Sequence, residues 1–491
     1  MHNFSVVDVL QSGRTMFVLA GLTLLLFCTA NLPWQLDDYD QAKQAFTSFE
    51  MLKEGHWLYQ HTPNGRVATK PPLVGWTSAA LFALTRSWAA AWRLPSLIAA
   101  IVLAIFLTRA ATSAYGWPAG LAAFSAFSWN LFTPRVATLV RTDMPLALTI
   151  FLFGLLVWDK IRKGESWKRS EQWSIFALLT TALFIKGPIV YAFLLPGMAA
   201  FAYWRGADCG ASVWCGSLPW IASLGIFSLW VGGGILSEHN FFDEVVRREF
   251  LGRFSETIHQ PQPLWFYLPH LLHKFFPWSV LILVLALVAL GSRRWDLRSA
   301  VREISPATLW LVCWSLGGMV VMSLIPSKRV DRIFPAVPPL CLLFAAQLAS
   351  TGAEEKSGKR VHRWSAAALS VSVLFAGGYC IAKVVSGYRE HRDALGVFGH
   401  EVRKRAAANH WQYEVIRGKD EAILLYLDKG NFAEPAKAIA QWNAGQLDAL
   451  AVPDDQLPRF LAALRDVGSP SLQSAQRKGL NRSNYMLLTR E

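Results

Sequence analysis

The chain has 491 residues, 53% of them hydrophobic and 17% charged, with 22 tryptophans and a formal net charge of +14. Soluble globular domains carry about 25% charged residues. A disordered chain, a disulfide-built secreted domain and a water-soluble nucleic-acid binder are therefore excluded despite the basic balance. The composition is that of an α-helical polytopic membrane protein.

Eleven apolar runs follow one another: 15–32, 94–113, 118–135, 143–158, 172–186, 188–204, 213–236, 274–291, 306–325, 333–350 and 365–384. A spanning helix needs about 20 residues, with a lower limit near 17. The runs predict eleven spans, within a range of about 11–13. The first reads as an anchor, because many spans follow and no small-residue cleavage site is recognisable. Pro72 to Thr85 is only 14 residues long, which suits an interfacial or re-entrant helix at the outer surface.

Charge sets the expected orientation. From Arg389 onward there are 15 Lys and Arg against 13 Asp and Glu, so nearly all the basic excess lies in the membrane part. Four connections are basic: Lys160 to Arg169, Arg205, Arg293 to Arg302 and Lys356 to Arg363. The positive-inside rule places all four in the cytoplasm. The N-terminus is then cytoplasmic and the C-terminal part periplasmic. Residues 1–384 are expected to form the membrane domain, with outer loops 33–71, 237–273 and 326–332. Residues 385–491 are expected to form a small periplasmic α/β domain. It has an amphipathic helix at Val397–Ala408 and strands at Glu414–Arg417, Asp448–Val452 and Tyr485–Thr489. No cysteine follows Cys380, so this domain needs no disulfide.

The first outer loop opens with Leu36-Asp37-Asp38-Tyr39-Asp40, and Ala42, Ala45, Phe46, Phe49 and Leu52 then recur at helical spacing. That pattern predicts an amphipathic helix on the membrane. Asp37 and Asp38 at its start are either helix caps favoured by the macrodipole, or a base that orients a substrate hydroxyl. Thr69-Lys70-Pro71-Pro72 fixes the backbone around Lys70, which is a snorkelling lysine or a phosphate ligand. Arg141-Thr142-Asp143 opens another span. Ionisable groups at membrane depth are expensive and are functional candidates; the alternative is that Arg141 and Asp143 simply neutralise each other. Asp37 and Asp143, from separate outer loops, are candidates to converge on one polar ligand.

Two basic outer segments oppose the positive-inside trend. Ser327-Lys328-Arg329-Val330-Asp331-Arg332 needs a local anion, either a phosphate or Asp331 itself. The 237–273 loop adds Arg247, Arg248 and Arg253, and Lys186-Gly187-Pro188 makes another outer turn. Pooled, these groups read as a site for a lipid phosphate with a polar head. No zinc-ligand spacing, Walker loop, nucleophile elbow or nucleotide-binding module is recognisable.

The ordered set extends through Leu251-Gly252-Arg253-Phe254, Gln262-Pro263-Leu264-Trp265-Phe266-Tyr267-Leu268-Pro269, Phe276-Pro277-Trp278 and Ser327-Lys328-Arg329. Over residues 15–384 it resembles the bacterial GT-C glycosyltransferases related to protein O-mannosyltransferases and the lipid A aminoarabinose transferase. The resemblance implies a GT-C fold and a polyprenyl-phosphate sugar donor, undecaprenyl phosphate first. Transfer would take place on the periplasmic side of the bacterial inner membrane, to lipid A, lipopolysaccharide core or another envelope glycan. It makes Asp37 the catalytic or acceptor-orienting carboxylate, with Asp143 assisting; Asp38 and Tyr39 beside Asp37 are read as substrate-binding. By the resemblance Lys70 and Arg253 would contact the lipid phosphate; the charge pattern adds Arg141, Lys328 and Arg329 as substrate-binding candidates.

The family's metal-site positions hold Thr69 and Arg247-Arg248-Glu249 here. No metal or other cofactor is therefore expected, and Arg247 and Arg248 would suit an acidic sugar. An exported polypeptide as acceptor is the runner-up. A lipid-linked sugar flippase is the competing class, although no paired repeat of the transporter kind is evident.

Overall fold

Each of the eleven apolar runs is helical. The computed structural model describes residues 13–36, 39–205, 213–253, 261–291, 304–351, 355–474 and 483–490. Among them, six helices are long and apolar enough to cross a membrane: Leu94–Tyr115, Asp143–Lys163, Leu218–Ser237, Pro306–Leu324, Val330–Thr351 and Arg363–Arg389. A bent pair, Leu264–Lys274 and Trp278–Leu287, turns through 109°. Thr15–Thr29, Leu73–Thr85 and Ile189–Arg205 are shorter apolar helices. The molecule is a multi-pass membrane protein. The 118–135 run is not one straight span but two helices, Trp117–Ser128 and Thr133–Ala137. Between them the Asn130 side-chain carbonyl accepts the backbone N–H groups of Phe132 and Thr133 at 2.7 and 2.8 Å. That local bond competes with helix continuation and restarts the chain.

Contacts divide the chain into two units. The first comprises Met1–Ala30, Thr69–Val74 and Arg93–Cys380. Its interior depends on glycine where helices touch. A Cβ on Gly317 would stand 2.6 Å from the Gly197 nitrogen, and one on Gly197 would stand 2.9 Å from the Cys313 carbonyl. Helices Ile189–Arg205 and Pro306–Leu324 therefore meet backbone to backbone, as close-packed membrane helices do. Tryptophan fills the remaining space. Trp310, Trp278 and Trp129 are buried, and each indole N–H is satisfied, by Gly154 O at 3.0 Å, Trp129 O at 2.8 Å and Thr23 Oγ1 at 3.0 Å.

The second unit joins Asn31–Ala68 and Gly75–Trp92 to Ile381–Glu491. Helix Tyr39–Glu54 buries Ala42, Ala45, Phe46 and Phe49, while Leu52 stays exposed. Phe49 packs on Trp88, and Trp92 donates to Ser48. A short hairpin follows, β1 (His61–Thr62) antiparallel to β2 (Arg66–Val67). The C-terminal part is α/β. Strands β3 (Tyr413–Val415), β4 (Ala449–Pro453), β5 (Leu472–Gln473) and β6 (Tyr485–Thr489) are ordered β3-β4-β6-β5, with β3 parallel to β4 and the other pairs antiparallel. Ile416, Trp442, Leu450, Val452, Phe460 and Leu488 form its core. The first loop is held to this part by named bonds. Leu36 N–H donates to the Tyr426 hydroxyl at 2.9 Å, Asn64 N–H to Asn431 Oδ1 at 2.9 Å, and Lys53 pairs with Asp428 at 3.0 Å.

Candidate active site

Within the first unit, charges collect in a buried layer where three helices end or begin. Asp143 is the first residue of helix Asp143–Lys163, and Lys186 is the last of helix Arg169–Lys186. Each charge sits at the helix end whose dipole favours it. The two side chains form an ion pair, and Asp143 is only 4% exposed. Arg141, also buried, reaches Asp331 at 2.7 Å, while Arg141 and Arg329 add positive charge around Asp143. The Ser96 hydroxyl donates to Leu139 O at 2.8 Å and Arg141 O at 3.3 Å, which fixes the turn that aims Arg141.

The 326–332 segment completes the layer. Lys328 is buried and donates its ammonium to the Gln262 carbonyl at 2.8 Å; Gln262 N–H in turn donates to Pro326 O at 3.2 Å. Desolvation pushes the Lys328 ammonium below its ordinary lysine value. Arg332 turns back onto Ser327 O at 2.6 Å. Beside the Arg141–Asp331 pair lies a cavity of about 480 Å³ lined by Arg135, His270, His273, Lys274, Arg329 and Asp331, among others. Its cations outnumber its one carboxylate, which is itself paired, so the cavity favours an anion. Lys70 forms an ion pair with Glu249.

The structure thus brings together Arg141, Asp143, Lys186, Arg329 and Asp331. Arg141 and Asp143 each take a separate main partner rather than only each other. Glu249 stands in the π-helix Phe242–Phe250, a rare form frequent at functional sites. Arg247 and Arg248, in the same turn, are exposed and pair along it with Asp243 and Glu244 at 3.4 and 2.9 Å. Asp37, Asp38 and the side chains of Tyr39 and Arg253 lie outside the described residues. Arg135, His270 and Lys274 escaped the sequence reading because they stand in apolar or motif segments; their gathering around one cavity singles them out.

The positions that the resemblance assigns to a metal do not suit one. Thr69 is neutral and buried, Arg247 and Arg248 are cations, and Glu249 is engaged by Lys70. A different set of ligand types lies elsewhere. Glu50, His56 and His61 place their ligand atoms within 4.8 Å of one another. Sequence reading missed them because the hairpin, not a recognisable spacing, folds His61 back beside Glu50.

In fold, a multi-pass set of membrane helices with a small α/β part, the chain resembles solved GT-C structures. ArnT from Cupriavidus metallidurans bound to undecaprenyl phosphate superposes with a TM-score of 0.69 over 97% of this chain and 98% of that one, at 16% identity. Archaeal oligosaccharyltransferase AglB from Archaeoglobus fulgidus matches with a TM-score of 0.50 over 91% and 70%, at 11% identity. In sequence, the chain is similar to undecaprenyl phosphate-aminoarabinose arabinosyltransferases. It is 25% identical over 354 residues to one from Sodalis glossinidius and 25% over 404 residues to one from Pectobacterium carotovorum. The matches cover 66% and 74% of this chain but only 56% and 65% of those relatives. No family model matches the chain.

Proposed function

We propose that the protein is an integral glycosyltransferase of the bacterial inner membrane, moving a sugar from undecaprenyl phosphate or a similar polyprenyl phosphate to an acceptor at the periplasmic leaflet. Lipid A or the lipopolysaccharide core is the favoured acceptor. In this reading the N-terminus is cytoplasmic and residues 385–491 are periplasmic. The carrying observation is the charged layer of buried Arg141, Asp143 and Lys328 with part-buried Lys186 and Arg329, in a fold shared with an undecaprenyl phosphate-bound ArnT.

The chemistry follows from charge. A lipid phosphate is a good leaving group, so the step that needs help is the growth of negative charge on its bridging oxygen. Preorganised cations in a water-poor site supply that help. Lys70 and Arg253 are assigned to the departing phosphate, with Lys328 and Arg329 as further cations. Glu249 holds Lys70 until the phosphate competes for it. Asp37, assisted by Asp143, orients the acceptor. For a hydroxyl acceptor Asp37 takes its proton as the anomeric carbon inverts by direct displacement; an ionised phosphate acceptor needs only positioning. Asp38 and Tyr39 line the acceptor side, and Arg247 and Arg248 face an acidic sugar. No metal-assisted step is assigned.

The test is mass spectrometry of lipid A, core oligosaccharide and envelope proteins from wild type, a deletion strain and a deletion complemented with Asp37→Asn or Asp143→Asn. A sugar-sized mass lost on deletion and not restored by either variant is expected. An unchanged mass spectrum in the deletion strain overturns the transferase reading and favours a flippase; a sugar lost from exported protein alone moves the acceptor to polypeptide.

A further inference from the structure

We infer that Glu50, His56 and His61 form a binding site for a divalent transition-metal ion, zinc first. The local fold makes the site. Glu50 stands in the last turn and a half of helix Tyr39–Glu54 and is only 4% exposed. Gly55 then adopts φ +83°, a left-handed conformation open chiefly to glycine, while its N–H caps Met51 O at 3.1 Å. The chain reverses there and lays His56 against the Glu50 carboxylate. The β1–β2 hairpin brings His61 in from the other side, its Nδ1 3.4 Å from the same carboxylate oxygen and its backbone N–H 3.4 Å from the other oxygen. The two imidazole rings stand 4.4 Å apart and nearly perpendicular, at 84°.

Two imidazoles and one carboxylate converging on a point are the donor set that binds zinc in three-ligand sites, with a fourth position open to water. His56 has a side-chain exposure of 47%, so the open position faces solvent. The electrostatics agree. Glu50 is 4% exposed, and a divalent cation would satisfy a carboxylate held out of water. The ion would fasten the end of helix Tyr39–Glu54 to the hairpin that leads to Thr69-Lys70. This role is structural and independent of the transfer reaction.

The test uses the full chain purified in detergent, stripped with chelator and titrated with zinc, with magnesium as control. Metal content after gel filtration and the zinc-dependent change in Tm are read together. Wild type is expected to retain about one zinc per chain and to melt higher with zinc but not with magnesium. The Glu50→Gln variant and the His56→Ala/His61→Ala pair are expected to lose at least about tenfold in zinc affinity and to lose the Tm response. His56→Gln, at a half-exposed position, serves as the variant that keeps the fold. Zinc content or Tm response unchanged in these variants, or absent from wild type, overturns the assignment. A Tm lowered equally with and without zinc identifies a purely hydrogen-bonded cluster and also overturns it.

Discussion

Lys186→Ala leaves the Asp143 carboxylate buried without its ion-pair partner. Breaking one side of a buried pair costs about 3–5 kcal/mol, while replacing both sides with neutral groups of similar shape costs far less. Lys186→Ala should therefore melt well below wild type, and the double variant Lys186→Met/Asp143→Asn should recover most of the loss while remaining inactive. Recovery of stability without activity separates the structural work of the pair from its place in the reaction. At Lys328 the sign of a pH effect follows from burial. The depressed ammonium loses its proton below the usual lysine range, near 10.4, and a neutral amine no longer holds an anion. Donor-lipid affinity should fall as pH rises through that depressed value, and Lys328→Arg should shift the fall to higher pH. These positions were legible as charges in the wrong place: Arg141-Thr142-Asp143 at a span start, and a basic run where an outer loop should be neutral. Their pairings were not, because Asp331 meets Arg141 across 190 residues of chain and no local pattern encodes such a contact.

At the scale of elements, apolar run length located a helix in each of the eleven runs, since the hydrocarbon core leaves the backbone few other ways to satisfy its polar groups. Interruptions were harder to see. Asn130 sits inside an apolar stretch, and one side-chain carbonyl taking two backbone N–H groups is enough to break the helix. The contact of helices Ile189–Arg205 and Pro306–Leu324 depends on glycines that composition does not flag. Gly317→Leu would drive a side chain into the Gly197 backbone, and overpacking of this kind costs about 1–3 kcal/mol, occasionally more. A lowered melting temperature with Gly317→Leu, set against little change with the open-facing Gly225→Leu, checks this.

The sequence divides most naturally at the end of the last span, yet the contacts in the second unit tie residues 31–68 to the C-terminal α/β part. A chain ending at residue 384 loses Tyr426, Asp428 and Asn431, the partners of Leu36, Lys53 and Asn64. Limited proteolysis of the shortened chain should cut within 36–64, where the full chain resists. Unchanged resistance would mean that the first loop folds without these bonds.

Those same bonds impose an order on biogenesis. Leu36 and Tyr426 are 390 positions apart, and ribosomes add about 5–20 residues per second. The loop that carries Asp37 at one end and leads to Lys70 at the other therefore waits roughly 20–80 s for its partner to be made. Throughout that interval Leu36, Lys53 and Asn64 lack their partners. A newborn chain of this kind is open to chaperones and proteases until its last hundred residues have emerged, and a premature stop late in the gene would disable a loop encoded near its start.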